Sequence, residues 1–382
     1  MPLAEKTAFP NSIGGLSPVF PYSPNSTFAT LTGTCHTSAK DPSFGVDLSP
    51  ENGTQLRSLA ALTITEFDIK ENMSPHQRHT TRRRDSDQDT TSLLNTDPKS
   101  KTLQWSELPA WMQDNHYITA GYRRPTGSYV ECIKTIFYLH NEYVNIWSHL
   151  LGFLLFVGLG IHFLWMQPFS DSLTWFDIVY FFVFIAGALT CLGLSSMFHC
   201  FSCHSEHVAA AWNRCDYAGI VTLTVGSFFP VIYYGFHCHR LLQVFYLVTV
   251  AILGAGTAAV VLLKHFRTPA YRWMRTSMFI ALGLFGVVPA LHGIYVYGFA
   301  RSLDTISLIN MLVMGCSYIG GALLYGARIP ERWSPGSFNI FGASHQIFHV
   351  CVVIALITHY LGVMKAMAYW HTGGQEICKE FL

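Results

Sequence analysis

Seven apolar stretches, each about as long as a membrane is thick, follow one another between residues 143 and 363 of this chain. A helix needs about 20 predominantly apolar residues to cross a hydrocarbon layer about 30 Å thick. The stretches are roughly 143–165, 175–195, 215–236, 241–263, 275–297, 304–326 and 344–363. Lipid leaves the backbone polar groups of open sheets and loops without partners. The sequence therefore predicts an all-α fold, a seven-transmembrane helix bundle over residues 143–363.

The rest of the chain divides into three segments. Residues 1–104 are rich in Ser, Thr, Pro, Asn and charge and show no apolar period, so they cannot bury enough apolar area to offset their ordering entropy. We predict a disordered N-terminal region there. Residues 105–142 form a juxtamembrane segment, in which Ser128 to Tyr138 has the pattern of a short amphipathic helix on the bilayer surface. Residues 364–382 form the C-terminal tail.

The distribution of basic residues predicts the orientation of the bundle. With a cytoplasmic N-terminus, most Lys and Arg of the short loops fall inside, and only Arg240, Arg301, Lys365 and Lys379 fall outside. The positive-inside rule therefore places the N-terminal region in the cytoplasm and the C-terminal tail outside it. The sequons at Asn25, Asn52 and Asn72 should then carry no sugar.

Two histidine-bearing segments at the predicted cytoplasmic boundary suggest a metal site. His345 and His349 are four residues apart and share one helix face. His199 ends the second stretch and Asp216 begins the third, so both lie at the same predicted depth. Three imidazoles and one water make an open tetrahedral zinc site, in which the pKa of the water falls toward about 7. Asp216 could orient an imidazole, hold the water or act as general base.

The plainer interpretation of any one of these histidines is a hydrogen-bonded residue at a helix end. The combination of an i,i+4 pair, a third histidine and an aspartate at one depth favours Zn²⁺ over that interpretation. The segment from His345 to His349 is not a zinc-protease motif, because Gln346 stands where that motif has its glutamate base. Any base must come from elsewhere, and Asp216 is the candidate.

Cysteines and net charge add two further expectations. Cys200 and Cys203 lie on the reducing side and are expected to be free thiols, whereas Cys238 and Cys378 fall outside and could pair. A net charge of +1 offers no general attraction for nucleic acid.

Several segments together resemble the progestin and adiponectin receptor family, also called the haemolysin III family, most closely its adiponectin-receptor branch and fungal homologues. The resemblance covers about 260 residues in order, beginning near Leu108. The matching stretches are 121–123, 140–150, Phe198-His199, Cys203-His204-Ser205-Glu206, Asp216-Tyr217-Ala218-Gly219-Ile220, 327–332 and 344–350.

The resemblance implies zinc held by His199, His345 and His349. It places Asp216 beside the water on the zinc and matches Ser195 to a motif serine four residues before the first ligand. Members of the family act as receptors for protein or steroid ligands and are associated with ceramidase-like hydrolysis, and fungal members are linked to zinc homeostasis and sterol metabolism. The implied partners are membrane lipids such as ceramide or a sterol and an extracellular protein or steroid ligand. A homodimer is a further expected partner arrangement.

Two functions follow as alternatives for this multi-pass protein of the plasma membrane or endoplasmic reticulum. In the first, zinc and Asp216 activate water against a lipid amide carbonyl, while Ser195 or Tyr217 hydrogen-bonds the substrate or the leaving group. In the second, the protein is a receptor in which zinc only ties helices together. A structural zinc site is usually closed by four protein ligands, so the open fourth position favours a zinc-dependent, ceramidase-like hydrolase within a receptor-type protein.

Overall fold

The computed structural model describes residues 100–166 and 171–381. Apart from residues 100–104, the predicted disordered region lies outside the described residues, and so do all three sequons. Ordered structure begins before residue 105, because β1 (Thr102–Gln104) pairs antiparallel with β2 (Ala120–Arg123).

The described chain is built of helices, and seven spans among them are long and apolar enough to cross a membrane. The helices are α1 (Tyr129–Thr135), α2 (Tyr143–Met166), α3 (Trp175–Phe201), α4 (Glu206–Gly235), α5 (Arg240–Val261), α6 (Arg272–Leu284), α7 (Val287–Tyr297), α8 (Phe299–Thr305), α9 (Leu308–Ala327) and α10 (Ser344–His371). The spans are α2, α3, α4, α5, the α6–α7 pair, α9 and α10. The predicted all-α, seven-span membrane fold is confirmed.

The predicted stretches locate the spans but not their ends. α3 continues to Phe201 instead of ending near 195, and α4 begins at Glu206 instead of 215. α10 continues to His371, eight residues beyond the predicted end of the transmembrane domain at residue 363. Backbone hydrogen bonds continue a helix past the point where its side chains stop being apolar, and hydropathy does not report this. Of the three candidate metal ligands, only His199 lies in such an extension, in the last turns of α3.

The fifth predicted span is interrupted. α6 ends at Leu284 and α7 starts at Val287, two residues before Pro289. Proline has no backbone N–H and its ring displaces the carbonyl four residues earlier, here that of Phe285. The predicted single stretch 275–297 is therefore two helices meeting at a kink.

α3 and α4 pack with their backbones close together. A Cβ built on Gly219 would lie 3.0 Å from Cys191 Cα, and one on Gly226 would lie 3.1 Å from Val183 O. Small residues at such positions let membrane helices approach and gain van der Waals contact. This approach fixes α4, which carries Asp216, against α3, which carries His199.

The bundle has two chemically different ends. We call the end where α3 finishes and α10 begins the histidine end, because His199, His345 and His349 lie there. At the opposite end, the disulfide end, Cys238 in the α4–α5 turn is bonded to Cys378 in the C-terminal tail. The pairing considered from the sequence is thus confirmed, and Cys200 and Cys203 are free thiols as expected. Disulfides persist in oxidising compartments, which agrees with the predicted orientation.

Candidate metal centre

The three predicted ligand histidines form one cluster at the histidine end. One nitrogen from each of His199, His345 and His349 lies within 4.8 Å of the others. His199 and His349 are buried, at 3% and 2% exposure, and His345 is half-buried. The three rings come from two helices, α3 and α10, and the i,i+4 spacing on α10 puts two of them on one face.

The spacing of one nitrogen pair matches that of two ligands on a tetrahedral metal. Nε2 of His199 lies 3.2 Å from Nε2 of His345. Two nitrogens bound to one tetrahedral zinc at about 2.0–2.1 Å are separated by roughly 3.3 Å. Within residues 100–166 and 171–381, no aspartate, glutamate or cysteine joins the three histidines as a fourth ligand. The cluster can therefore hold a metal ion and leave one coordination position open.

The start of α2 orients two of the three imidazoles through their outer nitrogens. Nδ1 of His199 lies 2.7 Å from Oε2 of Glu142, and Nδ1 of His349 lies 3.2 Å from the backbone oxygen of Asn145. With Nδ1 donating in each case, Nε2 is the nitrogen left for a metal. Such carboxylate or carbonyl partners fix the tautomer and raise the basicity of a ligand histidine. The ring of His149 stacks on that of His349 at 3.8 Å and helps to hold it in place.

Glu142 is an ionised acceptor in this arrangement. The Asn145 amide also donates to its Oε2, at 2.6 Å. Burial raises the pKa of Glu142, but its electrostatic interaction and hydrogen bond with the His199 imidazole outweigh this and hold the pKa well below its usual range. A charged acceptor makes the stronger hydrogen bond to the imidazole.

The first turn of α10 is held in place by two further polar side chains. Glu331, fully buried, accepts hydrogen bonds from the backbone N–H of Ser344 at 2.8 Å and from its hydroxyl. A carboxylate at a helix N-terminus satisfies free N–H groups and complements the helix dipole. Gln346 donates to the backbone oxygens of Asn141 and Ile340, at 3.0 and 2.8 Å. The residue that replaces the protease glutamate thus ties α10 to the segment before α2 and takes no place among the ligands.

Asp216 and Ser195 lie together beside the cluster. Both are buried, at 8% and 2% exposure. The Ser195 hydroxyl is within hydrogen-bonding reach of the Asp216 carboxyl, and the carboxyl is near enough to His199 to interact with its charge. The site therefore offers a buried carboxyl group that is near His199 and is not among the three converging histidines.

Tyr217 is placed differently. Its ring lies 5.3 Å from the Arg275 guanidinium and 6.2 Å from the Phe279 ring, both on α6. Adjacent side chains on a helix point about 100° apart, so the Tyr217 side chain points in a different direction from that of Asp216. The role of Tyr217 in binding a substrate stays a prediction.

Two residues that support the site were not singled out from the sequence. Glu142 falls just before the first span, and it appeared in the sequence only as a member of the matching stretch 140–150, with no role assigned to it. Arg123, 2% exposed, donates to the backbone oxygens of His199 and Cys200 at 2.5 and 2.8 Å, which are carbonyls of the last turn of α3. Both residues contact partners more than 50 positions away in the sequence, and a local pattern does not reveal such contacts.

Glu142 gives a first prediction. Glu142→Gln keeps the shape of the side chain but removes its charge, so the hydrogen bond to His199 Nδ1 weakens. Loss of a partner behind a metal ligand costs about 10–100-fold in metal affinity. We expect a loss in this range for zinc, measured by competition with a chromogenic chelator. Glu131→Gln, which changes an exposed carboxylate on α1, is the matched control. Equal affinity of the two variants would rule out this role for Glu142.

The sequence matches one family model over most of the membrane domain. Residues 137–360 match the family described as haemolysin-III related. These residues include α2 to α9, most of α10 and all three histidines of the cluster.

Similar proteins occur in animals, fungi and plants. The adiponectin receptor protein of Drosophila melanogaster is 43% identical over 269 residues, 70% of this chain and 60% of its own length. The ADIPOR-like receptor IZH2 of Saccharomyces cerevisiae is 40% identical over 275 residues, 71% of this chain and 86% of its own length. Heptahelical transmembrane protein 1 of Arabidopsis thaliana is 36% identical over 272 residues, 70% of this chain and 81% of its own length. The chain thus spans about 60% of the fly relative and most of the yeast and plant relatives.

Proposed function

The chain belongs to the haemolysin-III-related family, and on that premise we propose that it is a zinc-dependent hydrolase of lipid amides such as ceramide within a receptor-type membrane protein. The observation that carries the proposal is the pairing of an open three-histidine cluster with a buried carboxylate that is not a ligand. In this role the protein would act in lipid, sterol or zinc homeostasis.

Each residue of the site has its own role in the proposed reaction. Zinc, when bound by His199, His345 and His349, supplies a Lewis acid and lowers the pKa of water. Asp216 takes a proton from the water that attacks the amide carbonyl and passes it to the nitrogen as the carbon–nitrogen bond breaks. The products are a fatty acid and an amine. Ser195, whose hydroxyl is within hydrogen-bonding reach of the Asp216 carboxyl, would hold that carboxyl in position.

The location of the cluster supports a lipid substrate. The ligands lie at one end of two helices that cross the membrane, where the head group and the amide of a bilayer lipid also lie. A soluble substrate would need a groove open to water, whereas a membrane lipid can approach between helices.

The alternative is a receptor with a structural metal. The contacts of Glu142 and Gln346 favour it to some extent, since they tie α2, α3 and α10 together around the cluster. A purely structural zinc site is usually closed by a fourth protein ligand, and within the described residues none joins this cluster. The buried Asp216–Ser195 pair also has no assigned task in a structural site.

Removal of the metal separates the two functions. Detergent-purified protein is stripped with a chelator, reloaded with zinc, and assayed for fatty acid released from ceramide, with bound zinc measured in each sample. We expect release to disappear with the metal and to return in proportion to the zinc restored, whereas Mg²⁺ should restore nothing because imidazole ligands do not suit it. Stoichiometric zinc without release from ceramide or other lipid amides would establish the structural alternative. Failure to bind zinc would reject the metal centre.

A further inference from the structure

A second group of reactive side chains lies at the histidine end, outside the metal cluster. Cys132 on α1 and Cys203 in the turn between α3 and α4 are both fully buried. Their sulfur atoms are 3.6 Å apart, with the Cys203 thiol donating to Cys132. The two residues are 71 positions apart in the sequence, so only the fold brings them together.

The pairing differs from what the sequence motif indicates. Cys200 and Cys203 form a CxxC, the spacing of many redox pairs. In the structure Cys203 instead directs its sulfur toward Cys132, and its contact with Cys200 is to the backbone oxygen, at 3.8 Å. Chemistry between two thiols therefore favours Cys132 with Cys203 over the CxxC pair.

The surroundings of Cys132 favour its ionised form. The hydrogen bond from Cys203 lowers the pKa of Cys132 below that of an ordinary thiol against the opposing effect of burial, and the Thr126 hydroxyl and the Arg123 charge lower it further. Thr126 Oγ1 lies 3.1 Å from the sulfur. The thiolate is the nucleophilic form of cysteine, so Cys132 is the more nucleophilic member of the pair.

The local structure allows the two sulfurs to meet. A disulfide is about 2.05 Å long, so the atoms must approach by roughly 1.5 Å. The backbone beside Cys132 already pairs with the turn: the N–H groups of Thr126 and Gly127 donate to the oxygens of Cys203 and His204, both at 2.9 Å. α1 is only seven residues long, and its outward residues Val130 and Ile133 are exposed, so the approach requires the movement of one short helix and of the two cysteine side chains only.

We propose that Cys132 and Cys203 are a peroxide-reactive thiol pair that closes a disulfide between α1 and the α3–α4 turn. The Cys132 thiolate attacks one oxygen of the peroxide, the O–O bond breaks, and the departing hydroxide takes up a proton to leave as water. The Cys203 thiol then attacks the resulting sulfenic acid, forming the S–S bond as the S–O bond breaks and a second water leaves. Two thiols are oxidised and one peroxide is reduced. A thiol reductant reverses the reaction.

Peptide mapping tests the proposal on the full-length protein. Purified wild type is treated with hydrogen peroxide, remaining thiols are blocked with N-ethylmaleimide, and the non-reduced digest is analysed by mass spectrometry. Free cysteine in a parallel tube verifies that the oxidant is active. We expect loss of the reduced Cys132 peptide and the appearance of a linked pair containing Cys132 and Cys203, which a reductant separates again.

Three variants distinguish the possible links. Cys200→Ser should keep the linked pair, while Cys132→Ser and Cys203→Ser should each lose it. A link between Cys200 and Cys203, or a wild-type protein in which Cys132 stays reduced, would overturn the proposal. The measurement needs neither bound metal nor hydrolysis, so its outcome is independent of the proposed function.

Discussion

The Asp216→Asn substitution is expected to lower fatty-acid release from ceramide by about 10²–10⁴-fold while zinc stays bound, since general acid–base catalysis contributes rate factors of this size. An amide has nearly the shape of a carboxyl group but cannot accept the proton of the attacking water. Asp216 is not among the three converging ligands, so the metal should remain. Release and zinc content are measured on the same purified samples.

Two further variants frame this result. Asp304→Asn changes an exposed carboxylate that pairs with Lys365 near the disulfide end, and it should leave both release and zinc unchanged. His349→Ala removes a buried member of the histidine cluster and should lose zinc and release together. An Asp216→Asn protein that releases fatty acid at the wild-type rate would remove Asp216 from the chemistry, even if zinc proved essential.

The Arg123→Met substitution is expected to destabilise the protein by about 3–5 kcal/mol, because buried acceptors left without a partner cost about 1–3 kcal/mol each. The buried guanidinium donates to the His199 and Cys200 carbonyls, to the Thr135 hydroxyl and to the Ser202 hydroxyl. It thereby caps the end of α3 and joins that end to α1. For a protein of this size the loss corresponds to a fall of roughly 5–8 °C in the unfolding midpoint.

The neighbouring arginine provides the control. Arg124 donates to the backbone oxygen of Ser100 in an exposed position, so Arg124→Met should shift the midpoint much less. Arg123→Lys should fall between the two, since a single ammonium group cannot reach all the acceptors of the planar guanidinium. Thermal unfolding in detergent, followed by tryptophan fluorescence, measures all three. Equal midpoints for Arg123→Met and Arg124→Met would refute the capping role.

Hydropathy and spacing predicted the spans and the three histidines, because each is encoded locally. Apolar length sets a transmembrane helix, and an i,i+4 pair sets a helix face. The third histidine required one further inference, that the ends of α3 and α10 lie at the same side of the membrane, and alternation of the spans supplied it. Cys238 and Cys378 were placed on the same side by the same reasoning.

The contacts that support the site could not be predicted from hydropathy and spacing. Glu142 meets His199 across 57 residues, and Cys132 meets Cys203 across 71. Such contacts depend on the length of each helix and on its rotation about its own axis. The apolar pattern indicated neither property. α3, for example, is longer than its apolar core. Gln346 is a second example. The sequence indicated that it cannot serve as a general base, and only the fold showed its hydrogen bonds to Asn141 and Ile340.

Contacts and a covalent bond hold both ends of α10 in place. Its first turns carry His345 and His349, and beyond its last turn the chain is covalently fixed to the α4–α5 turn through Cys378. Between the two attachments runs one unbroken helix of 28 residues, about 42 Å long. The disulfide-bonded tail and the two imidazoles therefore lie at opposite ends of the same helix. A single rigid element thus joins the oxidised end of the bundle to the histidine cluster across the whole thickness of the membrane.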